Sequence, residues 1–139
     1  MGTDGNNEYE KMKNSLSSFP KSVGATIKKH RERLGLNRED LSELSKISVS
    51  AISRLERDKI DEPKFETLVA LIVGMNLHYA YIKDILEKSG YSGEFSSLNM
   101  ANNVKYIVYL DILVNAQRIT IDECNKILKA NKIEPIVDI

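Results

Sequence analysis

ISVSAISRLERDK, residues 47–59, sets small hydroxyls beside apolar side chains and ends in a run of charged ones. At about 100° of rotation per residue, Val49, Ser50, Ser53, Arg54 and Arg57 share one arc of a helix roughly 140° wide. Ala51, Ile52, Leu55 and Glu56 fall on the opposite arc, and the two sets do not interleave. One face is therefore apolar and predicted to pack inward. The other offers two arginines, two serines and a valine, and its short side chains let a basic helix come close to a partner surface. Ser48 stands at the N-cap position, and the spacing predicts a helix running to about Arg57.

The flanking segments support this reading. Asn37, with Asp40 three residues on, predicts a capped helix carrying Leu41 and Leu44 and interrupted at Ser45 to Ile47. Upstream, Ser22 caps a helix with Val23, Ile27 and Leu34 on one side, ending near Gly35. Downstream, DKIDEPK is a loop broken by Pro63. Phe65, Leu68, Val69, Leu71 and Ile72 then make a nearly all-apolar helix, expected in the core and closed by Gly74. Tyr79, Ile82, Ile85 and Leu86 mark a fifth helix from His78 to Ser89.

The ends differ in character. Residues 1–20 read as a polar tail with a short helix, since Tyr9, Met12, Leu16 and Phe19 keep a helical spacing before Pro20. The glycine-containing stretch GYSGEFSSLNMANN marks residues 89–103 as a linker. Beyond it Val104 to Asn115 reads as an apolar helix, although its β-branched and aromatic content also suits a buried strand. Thr120 with Glu123 is a capping box for a last helix carrying Ile121, Cys124, Ile127 and Leu128. The expected fold is all-α: five helices over residues 21–88, then a helical hairpin over 104–139. Val104, Ile107, Val108, Leu110, Leu113 and Val114 cover more than one side of their helix, so the hairpin alone would leave apolar surface bare. The fifth helix, a second copy of the chain or another protein must cover it.

The chain of 139 residues is 42% hydrophobic and 29% charged, which fits a folded soluble protein with room for one ordinary core. The apolar run Leu68 to Met75 is far short of the ~20 residues of a membrane span. The start lacks a secretory pattern and Asn6 departs from a myristoylation motif, so a cytoplasmic protein is expected. Cys124, alone and on an apolar stripe, reads as a packed thiol. Twenty basic residues balance twenty acidic ones. The balance is uneven along the chain: residues 21–60 hold ten basic and six acidic side chains, while 61–139 hold eight and eleven. Basic charge thus gathers around the quoted stretch, as a polyanion partner requires.

A short capped helix, a three-residue turn and a second helix with a basic, small-residue face have the geometry that enters a DNA major groove. Arg54 can give guanine O6 and N7 two parallel hydrogen bonds, and Val49 can meet a thymine methyl. Arg38, Ser48, Arg57, Lys59 and Lys64 are candidates for phosphate contacts.

Here the sequence resembles the lambdoid phage repressor and Cro family of Xre-like helix-turn-helix domains, over residues 21–88. The resemblance rests on RLGLNREDL for the first turn, ISVSAISRLE for the recognition helix and PKFETLVALIVGMNL for the fourth. It implies that Val49, Ser50 and Arg54 face bases, with Ser53 beside them, and that Arg38 contacts phosphate. It also implies that Glu56, on the inward arc, pairs with Arg31 of the first helix as a structural ion pair. Lys46 stands where relatives usually have glycine in the turn, Asp58 replaces the glycine or asparagine that often follows the recognition helix, Arg38 replaces a common glutamine, and Asp61 and Glu62 put negative charge in a loop that in relatives often approaches phosphate.

The resemblance implies a dimeric transcriptional repressor on an operator of double-stranded DNA, because a two-fold pair of helices reads two half-sites. The hairpin residues Val104, Ile107, Val108, Leu110, Leu113, Ile127 and Leu128 are then candidates for self-association, or for binding an inducer or antagonist protein. The competing expectation is an antitoxin-like or antirepressor-like module that sequesters a protein. Catalysis is not expected, since no acid, base and nucleophile converge; His30 reads as exposed near phosphate and His78 as structural, and neither has a metal-spaced companion. No cofactor or metal is implied.

Overall fold

The computed structural model describes residues 4–60, 62–91 and 103–137, with side chains from residue 10 onward. Asp61 and most of the expected linker lie outside the described residues. Among these the protein is all-α, with eight helices: α1 (Asp4–Leu16), α2 (Val23–Arg33), α3 (Arg38–Ser45), α4 (Val49–Glu56), α5 (Phe65–Met75), α6 (Tyr79–Lys88), α7 (Val104–Val114) and α8 (Ile121–Ala130). Val104–Val114 is a helix, which settles the strand alternative.

Local signals set the helix starts. Asn37 accepts from the Asp40 N–H at 2.7 Å while the Asp40 carboxylate accepts from the Asn37 N–H at 2.9 Å. Thr120 and Glu123 repeat this reciprocal box at α8. Ser22, Ser48 and His78 cap α2, α4 and α6 through Oγ, Oγ and Nδ1. These bonds satisfy amide donors that a helix start otherwise leaves without partners.

α5 is the axis of the core. Phe65 and every residue from Leu68 to Met75 are buried. A helix apolar all round needs cover all round. α3 packs on one side and α7 and α8 on another, with α7 also touching α6. Val108, Tyr109, Ile112, Leu113, Cys124 and Leu128 consequently belong to the same core as Ile27, Leu41, Ile52 and Leu68. Asn76 fastens the join, donating from Nδ2 to the Ala116 and Ile119 carbonyls at 2.8 and 3.0 Å.

Several expectations are corrected. Gly74 does not close α5: it is buried within the helix, where a Cβ would stand 3.1 Å from Ser45 Cβ, and Asn76 ends the helix with φ 49°. It is there for close approach to α3. Leu34, the C-cap residue that follows α2, and Leu44 in α3 are exposed. The N-terminal segment holds the expected short helix, and α1 also packs on α6, with Ser15 Oγ 3.3 Å from Tyr81 Oη. His30 is fully buried, with its ring stacked on Phe19 at 4.4 Å and edge-on to Tyr81 at 4.7 Å. Arg33 Nε donates to its Nδ1 at 3.0 Å, and burial, with Arg33, Lys88 and Lys29 nearby, lowers its pKa to about 3. Such an imidazole stays neutral and touches no phosphate.

Val108, Leu113 and Leu128, expected on an association surface, are also buried inside the chain. They answer the demand for cover by packing on α5 and α6. Leu110 and Ile127 are half-buried, whereas Val104, Ile107 and Val114 remain 68%, 46% and 54% exposed.

Candidate nucleic-acid interface

The turn between α3 and α4 is built for one path. Ser45 Oγ, buried, donates to the Leu41 carbonyl at 2.7 Å and accepts from the Ile47 N–H at 3.1 Å. Lys46 takes the left-handed conformation, φ 63°, and ends α3. Ile47 then enters the core and Ser48 Oγ accepts from the Ala51 N–H at 3.1 Å, starting α4. The chain thereby reverses within three residues without leaving a buried amide unpaired.

α4 is fixed from behind. Ile52 and Leu55 are buried, and α2 crosses so closely that a Cβ on Gly24 would come within 2.0 Å of the Leu55 carbonyl oxygen. Only glycine allows that approach. At the other end Glu56, buried, receives Arg31 Nε at 2.7 Å and Nη2 at 2.9 Å, with Arg38 Nε at 3.0 Å. Arg31 Nη1 also donates to the Leu36 carbonyl at 2.9 Å. The hydrogen bond to Glu56 is the chief reason that the Arg31 guanidinium is held more firmly protonated than usual. One carboxylate therefore ties α2, α3 and α4 together and sets the angle at which α4 meets solvent.

The outward face matches the rotation argument. Val49, Ser50, Arg54 and Arg57 are exposed and Ser53 half-buried. The Arg54 side chain makes no hydrogen bond or ion pair with the described residues, while Arg57 Nε reaches only the Ser53 carbonyl, at 3.4 Å. Asp58 turns the chain with φ 55° and accepts from Ser22 Oγ at 3.2 Å. Lys59 and Lys64 are exposed in the loop that follows. Glu62 stands between them, also exposed.

Of the expected phosphate contacts, Arg38 is drawn partly inward, because its Nε is engaged by Glu56. Its side chain remains 35% accessible, so the outer guanidinium nitrogens still reach solvent. Ser48 spends its hydroxyl oxygen on the cap. A residue that sequence reasoning passed over joins the face: Lys28 of α2 lines a shallow cleft with Asn37, Arg38, Val49 and Ser53. Its signal was present in the basic run of residues 28–33, but only the α2–α4 crossing shows which of those cations turns toward α4.

Residues 27–82 match the model of a family described as helix-turn-helix, a span that reaches from Ile27 in α2 to Ile82 in α6. No curated protein and no solved structure matches the chain.

Proposed function

We propose that this chain, whose residues 27–82 match a family described as helix-turn-helix, is a sequence-specific transcriptional regulator that binds operator DNA as a homodimer and represses from it. One observation carries the reading. The face of α4 that bears Val49, Ser50, Arg54 and Arg57 is held rigidly from behind by Gly24 and Glu56, and stays open to solvent in front. A basic, small-residue helix so presented fits the major groove. Arg54 reads guanine and Val49 a thymine methyl, while Ser50 and Ser53 permit close approach. Arg38, Ser48, Arg57, Lys59 and Lys64 hold the phosphates on either side, fixing register without reading sequence.

The homodimer rests on α7. Val104, Ile107 and Val114 follow one another three and seven residues apart, on the side turned away from the core. A second copy of the same stripe covers them and places two recognition helices on one duplex. An inducer or antagonist protein that displaced the second copy would release the operator. The protein is thereby assigned to the cytoplasm, beside its DNA.

Selection of bound duplexes from a random pool tests the reading, followed by titration of wild type and Arg54→Ala. An enriched motif, steep loss of affinity with salt, and relaxed preference at one guanine in the variant are expected. A pool with no enrichment would refute DNA reading and favour protein sequestration. Sedimentation of Ile107→Glu tests the dimer, because the substitution puts charge into the exposed stripe without touching the core. A variant as dimeric as wild type removes α7 from the interface.

A further inference from the structure

The second half of the chain carries net negative charge, yet its lysines are not dispersed. Asp122, at the start of α8, reaches back to Lys46 in the helix-turn-helix turn, Oδ1 to Nζ 3.4 Å. Lys126 and Lys129 lie four and seven residues further on, and so within roughly 40° of Asp122 around the helix axis. The side of α8 that bears them is therefore the side next to the turn, and Lys46, Lys126 and Lys129 line one shallow cleft. An adjoining cleft of about 630 Å³ gathers Lys64, Lys105 and Lys132, and Pro135 and Val137 line both.

The acidic groups in this region are mostly engaged. Glu66 is paired with Lys105 at 3.3 Å, and Asp122 with Lys46. Glu123 is turned into the Thr120 capping box. Glu134 is the remaining carboxylate along the clefts among the described residues. Lys64, Lys126, Lys129 and Lys132 form no ion pair among the described residues, and all four are exposed. Four ammonium groups with one carboxylate between them make a like-charge strip. It runs from the loop after α4, past the turn before α4, along α8.

We propose that Lys126, Lys129 and Lys132 contact the phosphate backbone of the operator outside the stretch covered by the helix-turn-helix domain, extending the footprint by way of the C-terminal helix. The inference rests on the DNA-binding reading above. A strip that begins at a phosphate-contacting lysine and passes the N-terminal end of the recognition helix continues along a duplex seated on that helix. A small anion would engage one lysine or two; only a polyanion engages the whole strip. Because lysine meets phosphate as a point charge, these contacts add affinity and salt dependence without adding sequence preference.

The test uses the full chain and the variant Lys126→Ala/Lys129→Ala/Lys132→Ala, whose sites lie outside the core and whose melting temperature should match wild type. Two duplexes are titrated over a salt series: the selected core sequence alone, and the same core with added flanks of arbitrary sequence. On the flanked duplex the slope of log affinity against log salt should become shallower by about 2.7, roughly 0.9 for each phosphate that the variant no longer neutralises. On the bare core it should stay as in wild type. Hydroxyl-radical footprints should lose protection in the flanks alone. Arg54→Ala, run in parallel, separates two failures. If Arg54→Ala loses base preference while the triple variant keeps the wild-type slope, the extended footprint is wrong and the groove reading stands. If both variants bind as wild type does, the groove reading falls and takes the extension with it.

Discussion

Arg31 and Glu56, on helices α2 and α4, meet through two parallel hydrogen bonds of 2.7 and 2.9 Å in a site shut off from solvent. A buried carboxylate so satisfied holds helices in register, but it becomes a liability once its partner is gone. Arg31→Ala should therefore destabilise the fold by about 3 kcal/mol, the lower end of the range for a broken buried pair, because Arg38 keeps one bond to Glu56. Arg31→Lys should recover little, since an ammonium cannot supply the fork of two parallel donors. Thermal melts check this, and an alanine variant that melts with wild type would show that the pair carries no stability.

His30 makes stability depend on pH. The imidazole titrates at its ordinary 6.5 when unfolded and near 3 in the fold, first because of burial and then because of Arg33, Lys88 and Lys29. The folded value is depressed, so the unfolded chain takes up the proton first. The contribution of neutral His30 is complete above pH 6.5 and drains away as pH falls toward 3, by at most about 1.4 kcal/mol per pH unit. His30→Phe keeps a ring against Phe19 and removes the titrating nitrogen. Denaturation at a series of pH values from neutral down to about 4 should show the wild type losing ground to the variant in that window; parallel curves would contradict it.

Tyr109 is fully buried in α7, edge-on to Phe65 at 5.2 Å, and its hydroxyl has no hydrogen-bond partner among the described residues. Burial and the nearby Glu66 carboxylate push its pKa well above the usual phenol range. A hydroxyl taken out of water without a partner opposes folding by about 1 to 3 kcal/mol. Tyr109→Phe keeps the ring contacts and removes that opposition. The variant should be more stable by about 1 kcal/mol, seen as a higher urea midpoint at unchanged slope. A lower midpoint would mean that the hydroxyl is satisfied in solution.

Lys46 occupies a left-handed position, φ 63°, that a side chain enters at a cost of roughly 1 to 2 kcal/mol and glycine enters freely. The ion pair it makes with Asp122 is exposed, and such pairs contribute little. Lys46→Gly should therefore raise the unfolding free energy by about 1 kcal/mol, even after the added flexibility of the unfolded chain. Equal or lower stability by chemical denaturation would show that Lys46–Asp122 outweighs the backbone strain.

The features legible in the sequence are those governed by near neighbours. Asn37 with Asp40 and Thr120 with Glu123 announce helix starts because the bonds join residues three apart. The two faces of α4 follow from rotation alone, and the all-apolar α5 declares that it is surrounded. What escapes depends on remote partners. His30 reads as a surface residue because the rings that enclose it, Phe19 and Tyr81, come from the N-terminal segment and from α6. Gly74 reads as a terminator because a glycine that ends a helix and one that lets another helix approach are the same letter. Arg38 reads as free because its hold on Glu56 bridges two helices. The apolar excess on α7 shows that cover is needed, and only packing shows that α5, α6 and α8 share it.

The shared axis limits how this protein can be divided or recombined. With α3 on one flank of α5 and the α7–α8 pair on another, and with Asn76 bonded to the Ala116 and Ile119 carbonyls, a cut after Tyr91 bares oily surface and leaves the Asn76 amide without its acceptors. Grafting the helix-turn-helix segment onto a foreign tail would thus have to supply new cover for α5 and new acceptors for Asn76. A substitution at either side of that contact is thereby felt by both.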